Sequence, residues 1–132
     1  MTKEELVLEA REARKISYSP YSGFSVGAAL ETADGKIYRG CNVENAAYGP
    51  SNCAERTAFF KAVSEGEREF KQIAIVGGPS SDDISKYCPP CGVCRQVMSE
   101  FCDKDSFFIH LSDGNEIRTY TLGELLPLSF GL

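Results

Sequence analysis

Cys91 and Cys94 stand three residues apart directly behind Pro89 and Pro90, and Cys53 opens a separate run, Cys53-Ala54-Glu55. Nothing else in the chain restricts its fold so strongly. Two prolines cannot sit inside a helix, whereas Val93, Val97, Met98 and Phe101 keep helical spacing after them, so a helix over 91–101 has to begin at the cysteines. Residues 53–64 are rich in helix formers, with Ala54, Ala58, Phe59 and Ala62 as the apolar stripe. Both cysteine groups therefore mark helix starts. In a layered α/β fold, helices that begin on the same sheet edge bring their N-termini together.

The rest of the pattern supplies that sheet. Thr2 and Glu5 have capping-box spacing, and Leu6, Ala10, Ala13 and Ile16 share one face of a first helix expected to end near Ser17. Residues 24–32 and 37–43, joined by Ala33-Asp34-Gly35, predict an antiparallel hairpin. Residues 70–76 predict a third strand, 77–86 a polar loop, and 106–111 and 117–120 two further strands. Thr121 with Glu124 opens a short last helix. The order α-β-β-α-β-α-β-β-α implies a five-stranded mixed β-sheet sandwiched between α-helices, a three-layer α/β/α arrangement forming a single domain over residues 1–132.

Cysteines stand at positions 41, 53, 88, 91, 94 and 102. Residues 1–15 are too charged for a secretory leader, and charge or glycine interrupts every apolar stretch before it reaches membrane-spanning length. The expectation is a cytoplasmic chain without a membrane partner, whose thiols are reduced and serve as metal ligands or buried small hydrophobes. Cys41 and Cys102 are expected to be ordinary buried thiols, and His110, on an alternating strand, a structural residue. A net charge of -5 and the absence of Trp disfavour a nucleic-acid polymer and suit a small, nearly neutral ligand.

Thiolates at positions 91 and 94 can grip one zinc ion at about 2.3 Å, with Cys53 as the third ligand. A closed structural site takes four protein ligands, whereas a catalytic site takes three and reserves one position for water. Three thiolates overcompensate Zn²⁺, which the two helix N-termini and Arg56, beside Cys53, would offset. Glu55 lies two residues after a ligand, where a carboxylate can move protons without binding the metal. That placement requires Cys53 to occupy the non-helical entry to its helix, since positions 53 and 55 of an ideal helix face opposite ways. The same residues also permit a structural clip of Cys53, Cys88, Cys91 and Cys94 in a zinc-stabilised binding module, with Phe24 a core residue and Asn42, Glu44 and Asn45 bonded to local backbone.

Longer stretches carry a resemblance. The runs Tyr21-Ser22-Gly23-Phe24-Ser25-Val26-Gly27-Ala28-Ala29, Asn42-Val43-Glu44-Asn45-Ala46-Ala47-Tyr48, Cys53-Ala54-Glu55-Arg56-Thr57 and Pro90-Cys91-Gly92-Val93-Cys94-Arg95-Gln96 resemble the small homotetrameric cytidine deaminases, as does Pro127-Leu128-Ser129-Phe130. The resemblance implies hydrolytic deamination of free cytidine and deoxycytidine to uridine and deoxyuridine, with release of ammonia. It implies one zinc ion per subunit on Cys53, Cys91 and Cys94, and Glu55 as proton shuttle during attack of activated water on C4 of the base. It further implies that Phe24 stacks on the base, that the Ala54 backbone contacts it, and that Asn42 and Glu44 bond the ribose hydroxyls. Residues matching Ala46, Tyr48 and Phe130 reach the site from neighbouring subunits in that family. A blasticidin S-type deaminase of a modified cytosine nucleoside is the neighbouring enzymatic reading. Cys88 is an addition to the family's pattern, and Ser25 stands where proline is common.

Overall fold

The computed structural model describes residues 1–132. Four helices and five strands follow one another as α1 (Lys3–Arg14), β1 (Phe24–Thr32), β2 (Ile37–Cys41), α2 (Ala54–Ser64), β3 (Phe70–Pro79), α3 (Gly92–Phe101), β4 (Phe108–Ser112), β5 (Ile117–Thr121) and α4 (Leu122–Leu125). The strands form one mixed sheet in the order β2-β1-β3-β4-β5, antiparallel except where β3 lies beside β4.

Period-two alternation on the central strands divides the core between two faces. Ala28, Leu30, Ile73 and Ile75 pack with Ala54, Ala58, Phe59 and Met98 of α2 and α3. Ala29, Ala74 and Val76 point the other way and pack with Leu6, Val7 and Ala10 of α1. Helices on both faces make the three expected layers. Their approach depends on two missing side chains. A Cβ on Gly27 would lie 2.1 Å from the Ala10 carbonyl oxygen of α1, and one on Gly40 would lie 2.2 Å from the Ala54 carbonyl oxygen of α2. Only glycine lets backbone come this near to backbone.

Both expected capping boxes form: Thr2 with Glu5 starts α1, and Thr121 with Glu124 starts α4. The stripe Ala54, Ala58, Phe59 and Ala62 is fully buried. Other expectations need correction. The first helix ends at Arg14 because the following segment turns to pair Tyr18 with Val43, which leaves Ile16 78% exposed. Val93 is likewise exposed, at the outer side of the first turn of α3. β3 continues to Pro79 through Gly77 and Gly78, since β1 pairs with it along the whole length, from Thr32 opposite Phe70 to Phe24 opposite Pro79. β2 stops at Cys41, and β4 begins only at Phe108, because Asp103 Oδ1 captures the amides of Asp105 and Ser106 in a turn at 2.8 and 3.0 Å. His110 is buried as a structural residue, its ring nitrogens each 2.8 Å from Gln72 Oε1 and Thr119 Oγ1. Cys41 and Cys102 are half-buried free thiols. No helix is long and apolar enough to cross a membrane.

Candidate metal centre and substrate cleft

Cys53 and Cys91 do not lie inside their helices. Each is the N-cap residue, in extended backbone at φ -78°, ψ 156° and φ -69°, ψ 168°, and α2 and α3 start one residue later. Cys94 is then the third residue of α3, so its side chain meets that of Cys91 as N-cap and third-position side chains do in a capping box. Cys91 and Cys94 thus meet through N-cap geometry, and not by sharing a helical face as their spacing predicts. Placement at the N-cap also frees Glu55 to point beside Cys53 instead of away from it.

The Sγ atoms of Cys53 and Cys91 are 3.8 Å apart, those of Cys91 and Cys94 3.5 Å, and all three lie within 4.8 Å of one another. A tetrahedral zinc ion with Zn–S bonds of about 2.3 Å requires sulfur separations of about 3.8 Å, so the trio fits this metal. Cys88 does not belong to the group, although it lines the adjoining cleft, and burial pushes its thiol up to about 11. Three soft ligands is the number that catalytic zinc sites use.

Charge around the sulfurs is arranged for thiolate. Arg56 Nη2 donates to Cys53 Sγ at 3.3 Å. The hydrogen bond with the neighbouring Cys94 thiol, with Arg56 and Cys91 assisting, holds Cys53 well below the ordinary thiol value, and Cys94 is raised as the other half of the same shared proton. Arg56 Nε is buried without a protein acceptor. Glu55, in the first turn of α2, is only 4% exposed, and burial pushes its carboxyl up to about 7, with the charge of Cys53 adding to the effect.

A cleft of about 500 Å³ opens beside the sulfurs. Its walls include Phe24, Asn42, Glu44, Tyr48, Cys53, Ala54, Glu55, Arg56 and Cys91, which brings together most residues singled out from the sequence. Asn42 uses its side chain locally as well: Oδ1 accepts from Ser17 Oγ at 2.6 Å and Val26 N at 2.9 Å, and Nδ2 donates to Phe24 O at 2.8 Å. Glu44 accepts from the Tyr21 and Ser22 amides, both at 3.0 Å, and from the Ser22 hydroxyl, which holds its carboxyl below the usual range. Asn45 Oδ1 accepts from the Ala47 amide at 2.9 Å. Ala46 and Phe130 do not line the cleft of their own chain. Ala46 is exposed in the loop after β2, and Phe130 is 69% exposed, its carbonyl accepting from Gln96 Nε2 at 3.3 Å. Ser22, Asn52 and Pro89 also line the cleft without having been singled out. Only Ser22 carried a signal, a hydroxyl beside Gly23, whose φ of 67° makes the turn that aims it at Glu44.

A mixed sheet that delivers three sulfurs and a buried carboxylate from two helix starts defines a zinc-dependent hydrolase of the deaminase type. The family described as cytidine and deoxycytidylate deaminase zinc-binding region matches residues 1–110. A cytidine deaminase of Sporosarcina psychrophila is 50% identical over 131 residues, spanning 98% of this chain and 92% of that protein. The crystal structure of a cytidine deaminase from Burkholderia pseudomallei superposes with a TM-score of 0.88 at 47% identity, covering 98% of this chain and 100% of the other. Farther off, a blasticidin-S deaminase of Bacillus cereus is 33% identical over 129 residues, or 96% of this chain and 90% of that protein. The chain belongs to the zinc-dependent cytidine deaminase family.

Proposed function

We propose that this chain, as one domain over residues 1–132, removes the 4-amino group of free cytidine and deoxycytidine by hydrolysis, working as a cytoplasmic homotetramer in pyrimidine salvage. The observation that carries the reading is the buried Glu55 carboxylate facing a cleft lined by Cys53 and Cys91, with Cys94 buried behind them and the three sulfurs at zinc-binding separations. When bound there, zinc acts as a Lewis acid that makes water nucleophilic at neutral pH.

The chain's own residues do the rest. Glu55 takes one proton from the attacking water and delivers it to ring N3 as the C4–O bond forms. It then carries the remaining hydroxyl proton to the 4-amino group, so the C4–N bond breaks with loss of ammonia and C4 becomes a carbonyl. Arg56, bonded to Cys53, offsets the excess negative charge of three thiolates. Phe24 presents a ring for stacking on the base, the Ala54 backbone contacts it, and Asn42 with Glu44 recognises the sugar. The fixed orientations of those last two side chains support a specific polar partner at that corner. Ala46, Tyr48 and Phe130 of neighbouring copies complete the pocket, a role that suits the exposure of Phe130 in the single chain, while Tyr48, exposed as well, also lines the cleft of its own chain.

Loss of the cytosine absorbance band on incubation with cytidine or deoxycytidine tests the reading, with blasticidin S as counter-substrate. Glu55→Ala at equal zinc content is expected to keep its fold and lose at least about a thousand-fold in kcat. Turnover near the parental rate in that variant would remove Glu55 from the mechanism.

A further inference from the structure

Asn42 has a hydrogen-bonding capacity that can be counted in full. An amide oxygen accepts two bonds and an amide nitrogen donates two. Val26 N–H can only donate and Phe24 C=O can only accept, so the amide cannot be turned over. Ser17 Oγ, at 2.6 Å, fills the second position on Oδ1. One N–H of Nδ2 is all that is left for the cleft.

Ser17 reaches that position because its loop is tied down on several sides. Tyr18 N donates to Asn42 O at 3.1 Å, and Glu44 N donates to Tyr18 O at 2.8 Å. Ser19 Oγ, 3.2 Å from Ser17 Oγ, joins Ser25 and Ser80 in a cluster of hydroxyls with separations of 2.9, 3.1 and 2.7 Å. The cluster fastens the α1–β1 loop to β1 and to the residue after β3.

We infer that Ser17 is a positioning residue for nucleoside recognition: its hydroxyl adds a third bond to the Asn42 amide that Val26 and Phe24 orient, and so steadies the remaining N–H toward the sugar. The inference rests on the reading of Asn42 as a sugar contact. Two bonds accepted at Oδ1 also polarise the amide, which strengthens the N–H left to donate. Ser17 touches neither the sulfurs nor the reacting carbon, so its contribution belongs to binding and is felt equally before and during reaction.

A double-mutant cycle tests this with the zinc-loaded enzyme, using cytidine and deoxycytidine. Ser17→Ala is expected to raise KM about five-fold, the worth of one hydrogen bond, with kcat within about two-fold of the parent. Ser17→Thr, which keeps the hydroxyl, restores KM. In an Asn42→Ala background, where KM is already raised, Ser17→Ala adds nothing. Should Asn42→Ala not fold, Asn42→Asp, which keeps the acceptor and loses the donor, closes the cycle. An unchanged KM in Ser17→Ala beside a raised KM in Asn42→Ala overturns the inference and spares the sugar reading. Equal losses from Ser17→Ala in both backgrounds overturn it too, since Ser17 would then act through loop structure alone. An Asn42→Ala enzyme with parental KM removes the sugar reading itself.

Discussion

Replacing Gly40 with alanine would add one methyl group where β2 passes beneath the first turn of α2. The new Cβ would stand 2.2 Å from the Ala54 carbonyl oxygen and 2.6 Å from the Ala58 amide nitrogen. Carbon and oxygen make their nearest comfortable contacts at about 3.3 Å, so strand and helix must separate by about 1 Å. Such overpacking costs roughly 1–3 kcal/mol of stability. The helix that moves carries Cys53 at its N-cap and Glu55 in its first turn, and a displacement of about 1 Å at a reacting group lowers turnover about a hundred-fold. Gly27→Ala is the matched comparison. Its Cβ would meet the Ala10 carbonyl oxygen at 2.1 Å, an equal clash, but against α1. The two variants are expected to melt at similar temperatures, while only Gly40→Ala loses about two orders of magnitude in kcat/KM and binds zinc more weakly. Assays run well below both midpoints, with metal content measured in parallel, separate the effects. Equal kcat/KM in the two variants would refute the idea that Gly40 sets the position of the catalytic turn.

Other expectations follow from the same geometry. Stripping zinc with a chelator should abolish turnover and lower the thermal midpoint, by up to about 4 kcal/mol of lost linkage at a thousand-fold excess over Kd, and zinc should restore both; an unchanged midpoint would argue that the trio holds no metal. His110, near Lys3 and Glu4, is lowered from 6.5 to about 4 by burial. Unfolding therefore takes up a proton below pH 6.5, so stability is full above that value and falls as pH drops toward 4. Thermal midpoints between pH 7 and 5 should decline less steeply in His110→Gln, and parallel slopes would dismiss the assignment. If neighbouring copies complete the cleft, dilution below the tetramer's dissociation range should lower specific activity in step with the mass measured by sedimentation, and Phe130→Ser should shift that range upward; activity constant across dissociation would show that one chain suffices.

Much of the fold was legible where local chemistry and tertiary demand agree. Thr2 with Glu5 and Thr121 with Glu124 cap helices whatever surrounds them, and Ala54, Ala58, Phe59 and Ala62 recur at helical spacing because α2 lies flat on the sheet. Expectations failed where a distant partner decided. Gly77 and Gly78 read as loop, but β1 holds them in β3, and a Cβ on Gly77 would come within 3.0 Å of Phe24 and Cys88. Ile16 kept the helical period, yet its segment leaves the helix to pair beside Val43. At the cleft, the cysteines and Glu55 were legible because few chemistries use that set at that spacing. Ser17 was not, since a serine before Tyr18 has nothing to distinguish it until the chain brings it to Asn42, 25 positions away.

The two N-cap sulfurs come from positions 38 apart, with the central strand β3 between them, whereas Cys91 and Cys94 are only three residues apart in the chain. An unfolded chain therefore offers metal only the cysteines clustered between positions 88 and 94, and Cys53 joins them only when the sheet has closed. Ion capture and chain collapse are thus one thermodynamic event in their final step. The three sulfurs and the Glu55 carboxylate are therefore assembled in one place only once α2 is docked on the sheet.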